Sequence, residues 1–310
     1  MGKKVLIVKL GYTETIDQRL KSDTVSLGDV FRTTAILHIF KNDNVTWLTT
    51  KEGGQLLAGN AYIKRVLIYD PKAAFQLRTE DFDIVVNLER LSGICALTDS
   101  IHAQRRYGFR FNEKGGKVEA CEHSYEVLAN SDDPDLRRKM KKHWIEVLYE
   151  MVGEKWNGEG YILGYKPRTS EKYDIGFNVN VNKRWSNKAW PRKNWRKLER
   201  LFDGRYSISY QKSLDDIHGY IDWLNSCGLI ITNDSLGLHL SVALKKKIIA
   251  LFGPTSEKEI HFFEKCKVIR YSTESDCAPC FNMFCGNGKP CMEMISPEVV
   301  YDSVETMMGR

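Results

Sequence analysis

Four cysteines, Cys277, Cys280, Cys285 and Cys291, fall within fifteen positions of one another. The stretch that carries them is broken by Pro279, Gly286, Gly288 and Pro290, which suits a loop. Thiolates at this spacing can converge on one tetrahedral ion, and an all-sulfur donor set suits zinc or iron. With no other ligand type nearby, the reading is a structural clip; an iron–sulfur cluster, two disulfides or four free thiols are the alternatives. A second candidate is Asp29 in Ser26-Leu27-Gly28-Asp29. A carboxylate there is either a helix-start residue or a general base that takes the proton of an attacking hydroxyl. Third comes the cationic run from Lys183 to Pro191, in which Lys188 is the choice for a clamp on a diphosphate leaving group. Because Trp185, Trp190 and Trp195 interleave with these cations, a nucleic-acid face is the rival reading. Last, Asn233-Asp234-Ser235 forms a helix start, with Leu236 and Gly237 in the first turn and His239 one turn in. Free N–H groups at such a start suit a phosphate. His239 is either a hydrogen-bonded structural residue or part of that site.

These residues need elements to position them. Leu229 to Ile231 and Ile248 to Phe252 are short apolar runs flanking the helical pattern Leu236, Leu240, Ala243 and Leu244. Strand, helix and strand in that order make a parallel unit, and ligands of open parallel sheets bind at the carboxyl ends of the strands. The same alternation occupies the first half. Strands are expected at Val5 to Lys9, Val45 to Thr50, Val66 to Tyr69, Ile84 to Leu88 and Arg106 to Phe109, the last taken as short. A polar segment, Tyr12 to Thr24, separates the first strand from its helix, and 121 to 152 is expected to be mostly helical. After the glycine-rich stretch Glu154 to Thr169, alternation resumes at Tyr173. Ser296-Pro297-Glu298 opens a C-terminal helix. The sequence thus predicts an α/β protein with domains at 1–157 and 170–295 and a final helix over 296–310.

Composition narrows the classes. A chain of 310 residues, 42% hydrophobic, has length and apolar content for two ordinary cores. No apolar run approaches the ~18 residues a membrane span needs. The N-terminus reads as a strand rather than a signal peptide, so a cytoplasmic location is expected. A net charge of +6 is moderate, and eight cysteines in so long a chain do not make a secreted disulfide framework. Dinucleotide-binding, Walker-type and nucleophile-elbow motifs do not occur, which argues against dehydrogenase, kinase and hydrolase chemistry.

Taken in order, KVLIVKLG, SLGDVFRTTAIL, DFDIVVNLERLSG, RRYGFR, KAWP, TNDSLGLHL, IIALFGPTS and the terminal cysteine segment resemble glycosyltransferase family 9, the bacterial heptosyltransferase family. The resemblance implies a GT-B fold, two Rossmann-like domains facing across a cleft, the first for acceptor and the second for nucleotide-sugar. It implies inverting transfer of a heptose from ADP-heptose to a glycan or lipopolysaccharide-core hydroxyl, with no cofactor needed for catalysis. By motif, Asp29 matches the family's base and Lys188 its diphosphate-contacting lysine. Asp234, Ser235, Leu236, Gly237 and His239 match the donor-binding stretch. Leu236 stands where a glycine is usual, and Tyr12 to Lys21 stands as an insertion. Donor and acceptor are the expected partners, the acceptor being glycan, lipid-linked or protein, with peripheral inner-membrane contact and no nucleic acid. Runner-up readings are a protein O-heptosyltransferase, a nucleotide-sugar epimerase, and a non-catalytic metal-clip protein that binds nucleotide or nucleic acid.

Overall fold

The computed structural model describes residues 2–12, 25–271, 277–286 and 288–309, without the side chain of Asp132. The insertion therefore lies, beyond Tyr12, outside the described residues. The chain divides into two compact units, Met1–Tyr165 and Lys166–Arg310.

Among the described residues the first unit has six strands: β1 (Lys4–Val8), β2 (Asn44–Thr49), β3 (Arg65–Ile68), β4 (Asp81–Asn87), β5 (His102–Asn112) and β6 (Lys117–Ala120). They lie in the order β3-β2-β1-β4-β5-β6. Val5 to Val8 are all buried, as a strand covered on both faces requires. Leu6, Val8, Leu48, Phe82 and Val85 share a core with Leu77 and Ile94 from the helices Pro71–Leu77 and Ser92–Asp99. The order reverses between β1 and β4, the topological switch of a doubly wound sheet.

The far edge differs from expectation. The short strand predicted at Arg106 to Phe109 is an eleven-residue strand that turns back antiparallel into β6. Its charged, half-exposed residues hide the alternation that marks a buried strand, and Gly116, at φ 61°, supplies the left-handed turn position. The predicted helical region is three short helices, Tyr125–Asp132, Pro134–Lys139 and Trp144–Met151. Asp133 caps the second through the Asp135 and Leu136 amides, and Pro134 enforces the break.

Among its described residues the second unit has five strands, β7 (Tyr173–Asn178), β8 (Ile208–Tyr210), β9 (Cys227–Asn233), β10 (Lys247–Phe252) and β11 (Cys266–Arg270). All pairs are parallel, in the order β11-β10-β9-β7-β8, so this sheet reverses between β7 and β9. One face is covered by the helices Arg192–Leu201 and Pro297–Met308, which pack on each other. Their Trp195, Leu198, Val300 and Val304 meet Phe177, Ile231 and Leu251 of the sheet. Trp190 and Trp195 are almost wholly buried, edge to face at 4.9 Å, and Trp185 is buried as well. The aromatics that raised a nucleic-acid face are therefore core residues: the burial that stabilises the unit removes them from any base-stacking role. Two sheets with alternating helices make this an α/β protein of GT-B type.

Candidate functional site

The switch point of the second sheet gathers most of the predicted donor-site residues. Strands β7 and β9 end there at Asn178 and Asn233, both fully buried amides in positions an apolar strand would fill with carbon. Asn178 donates through Nδ2 to Thr232 Oγ1 (2.7 Å) and to Ser235 Oγ (2.9 Å), and accepts from the Tyr220 hydroxyl at 2.7 Å. Burial outweighs the hydrogen bond to Asn178 and pushes the Tyr220 hydroxyl above its usual range, so it stays a neutral donor.

This network decides how the helix Leu236–Ala243 begins. Ser235 is its N-cap residue by backbone, in an extended conformation, yet its side chain makes no capping hydrogen bond among the described residues. Asn178 holds the hydroxyl instead, leaving its proton to donate. Of the first-turn amides, that of Leu238 donates to the Ser235 carbonyl at 3.0 Å, which leaves those of Leu236 and Gly237 without an acceptor within the helix. Gly237 allows this close fit. A Cβ there would fall 2.3 Å from Asn178 Nδ2 and 2.3 Å from the Tyr220 oxygen.

Lys188 and Asp234 flank this helix start. The Lys188 ammonium lies 2.9 Å from Asp234 Oδ2 and 4.6 Å from the centre of the Trp185 ring, and both charged side chains are nearly buried. Thr255 donates to the same carboxylate oxygen at 2.7 Å. Burial pushes the Asp234 carboxyl up, but the charges of Lys188 and His239 and the Thr255 hydrogen bond prevail and lower it to about 2. Lys188, the predicted diphosphate clamp, is therefore held in an ion pair. His239 is buried within electrostatic reach of Asp234.

The surrounding loops are fastened from several sides. Asn233 Oδ1 accepts from the Trp190 amide at 2.9 Å, tying the lysine segment to the end of β9. The Trp190 indole donates to the Ile295 carbonyl at 2.9 Å. Arg270 donates to the carbonyls of Gly253 (2.7 Å) and Thr255 and pairs with Glu257, which fixes the loop after β10. Sequence reasoning missed Asn178, Tyr220 and Arg270, and placed Asn233 only in the helix start. The two asparagines, polar residues closing apolar strands, were the available signal.

In the first unit, Ser26 caps the helix Leu27–Thr33, accepting from the Asp29 amide at 3.4 Å. Asp29 is thus a first-turn acid rather than the cap. Its buried carboxylate pairs with Arg32, whose guanidinium sits 4.7 Å from the centre of the Trp144 ring. At this unit's switch point, Glu89 is fully buried, and its Oε1 accepts from the amides of Leu10 (2.7 Å) and Gly11 (2.8 Å).

Cys277, Cys280, Cys285 and Cys291 are thiols near enough to influence one another. Burial, reinforced by the neighbouring cysteines, pushes Cys280 and Cys291 up. Among the described residues, however, no three His, Cys, Asp or Glu side chains are arranged to hold a metal ion. The donor set suits zinc or iron; the arrangement does not form a ligand shell. The same loop braces the lysine segment, since Asn187 donates to the Asn282 carbonyl and Arg184 lies 3.4 Å from the Met283 sulfur.

The sequence pattern of glycosyltransferase family 9 (heptosyltransferase) matches residues 216–290, which span the helix start and the end of β9 but neither Asn178 nor Lys188. Lipooligosaccharide heptosyltransferase 2 of Campylobacter jejuni is 31% identical over 83 residues, 26% of this chain and 26% of that protein. The chain thus aligns with about a quarter of the length of the curated relatives it matches. The structure of E. coli ADP-heptose LPS heptosyltransferase II is similar over 98% of each chain, with a TM-score of 0.67 and 15% identity. The iron-containing dodecameric glycosyltransferase TibC of enterotoxigenic E. coli is similar over 99% of this chain and 76% of its own, with a TM-score of 0.61 and 11% identity. Residues 216–290 thus carry the sequence pattern of glycosyltransferase family 9, and the heptosyltransferase structure shares the fold over nearly the whole length.

Proposed function

We propose that this chain is an inverting glycosyltransferase that moves a heptose from ADP-heptose to a hydroxyl of a glycan acceptor, the lipopolysaccharide core being the first candidate. The observation that carries the reading is the start of the helix Leu236–Ala243, whose capping hydroxyl is held off by Asn178. Uncapped amides, a hydroxyl with a proton to give and an ammonium at the switch point together suit a diphosphate. Similarity to a structure described as an ADP-heptose enzyme supports the choice of donor.

In the proposed reaction the acceptor oxygen attacks the anomeric carbon and passes its proton to Asp29. The bond from that carbon to the diphosphate oxygen breaks, and its electron pair leaves with ADP. Lys188 shares its donors between Asp234 and the leaving oxygen, while the amides of Leu236 and Gly237 and the Ser235 hydroxyl stabilise the growing charge. Each such donor is worth about 3 kcal/mol in related chemistry. Asp234 has a positioning role: it fixes the ammonium before the donor arrives. Calorimetry with ADP-heptose, followed by mass spectrometry and anomeric NMR of the product on truncated core oligosaccharide, tests the proposal. Absence of ADP-heptose binding overturns it. Transfer to a protein hydroxyl instead of the oligosaccharide would move the acceptor and leave the donor chemistry standing.

The four-cysteine loop is read as a structural clip for zinc or iron, outside the reaction. Support comes from the shared neighbourhood of the thiols, their all-sulfur chemistry and the likeness to a protein described as iron-containing. Elemental analysis should find about one ion per chain, lost in the Cys277→Ser/Cys280→Ser variant. Metal-free protein with undiminished stability would remove the clip. We place the protein in the cytoplasm, in peripheral contact with the inner membrane where the acceptor is lipid-linked; no helix among the described residues is long and apolar enough to cross a membrane. Cell fractionation with salt washes checks both.

A further inference from the structure

The other end of the second sheet carries its own concentration of charge. Because the strands are parallel, the starts of β7, β9 and β10 gather there, opposite the end that holds Asp234. A cavity of about 510 Å³ opens among them, lined by Lys172, Lys245, Lys246, Lys247 and Lys265 and by only two acids, Glu171 and Asp174. Both acids are engaged. Glu171 pairs with the buried Lys246 at 2.9 Å, and Asp174 accepts from the amide (2.8 Å) and hydroxyl (2.6 Å) of Ser207. Four exposed lysines remain around the cavity. Lys247 and Lys265 donate to the carbonyls of Met307 (3.1 Å) and Lys245 (3.3 Å), and each ammonium has three donors, so these bonds leave capacity for a ligand.

The backbone points the same way. Lys245 follows the helix Leu236–Ala243 and its cap residue Leu244, with φ at 57°, a left-handed position where glycine is the unstrained choice. Lysine there brings three successive cations to one wall of the cavity at the expense of backbone strain. The space admits a phosphorylated small molecule or a lipid headgroup, and ammonium groups on several sides match a compact polyanion. We propose that this cavity is a binding site for a phosphate-bearing anion, separate from the donor site and independent of the transferase reading.

The test titrates the full chain with inorganic pyrophosphate by calorimetry, and measures co-sedimentation with phosphatidylglycerol–phosphatidylcholine vesicles against phosphatidylcholine alone. Wild-type and Lys188→Ala proteins should keep a common pyrophosphate site whose affinity falls as salt rises. The Lys172→Gln/Lys245→Gln/Lys265→Gln variant should lose about tenfold in affinity at that site, with an unchanged melting temperature. The single Lys172→Gln change, at an exposed lysine 5.4 Å from the Tyr173 ring centre, should give a smaller loss and guards against misfolding of the triple variant. Vesicle binding that is lost in the triple variant and competed by pyrophosphate identifies a lipid headgroup. Pyrophosphate binding without vesicle binding identifies a soluble phosphate. If pyrophosphate binding disappears in Lys188→Ala and persists in the triple variant, or neither probe binds, the proposal is overturned.

Discussion

The two units have the same kind of sheet, with a reversal in strand order, but they treat that reversal in opposite ways. In the first, the amides of Leu10 and Gly11 are taken by the buried Glu89 carboxylate, and Ser26 caps the adjoining helix. In the second, Asn178 holds Ser235 away from the helix it would cap. An internal anion satisfies the first crevice; in the second, on the proposed function, the donors await an anion from outside. Shared topology therefore does not make the two crevices equivalent. One buried carboxylate and one buried amide separate the two, and on the proposed function they divide acceptor from diphosphate.

The largest test of this contrast is Asp29→Asn, which should lower transfer by about 10²–10⁴-fold while calorimetric affinity for ADP-heptose stays the same. Loss of donor affinity in that variant would erase the division of labour. Lys188→Ala comes next, with an expected loss of about tenfold or more for ADP and little change for adenosine. Asn178→Ala releases Ser235 to cap the helix; ADP affinity should fall several-fold and stability by about 1–3 kcal/mol in urea. Glu89→Gln is its counterpart in the first unit, with a similar stability cost and unaltered ADP affinity.

The smallest effect concerns pH. Asp234 is lowered in the fold to about 2 from its ordinary 3.8, so its contribution is complete above about pH 4 and fades as pH falls towards 2. The shift corresponds to about 2 kcal/mol. The stability difference between wild type and Asp234→Asn, followed by urea denaturation from pH 5 to 2.5, should shrink as the acid is protonated.

Much of this was legible in the sequence, for physical reasons. Fully buried parallel strands such as Val5 to Val8 and Leu229 to Ile231 announce themselves as unbroken apolar runs, and the start at Ser235 follows from strand-end chemistry. β5 was read short because charged residues line its half-exposed faces and give no periodic signal. Lys188 could be chosen as a cation but not paired with Asp234, since the two are brought together by Asn233 and Trp190 across separate elements. The tryptophans left a rival reading open for the same reason: spacing shows which residues alternate with the cations, not which of them turn to the core.

The mooring of Trp190 to the carbonyl of Ile295 has an outcome for anyone shortening the chain. Residues 216–290 stop short of that anchor, so a fragment cut to those limits would lack both the indole and its acceptor. Trimming from the far terminus would act on the ammonium-bearing stretch by slackening its tether, long before any ligand-touching atom was deleted.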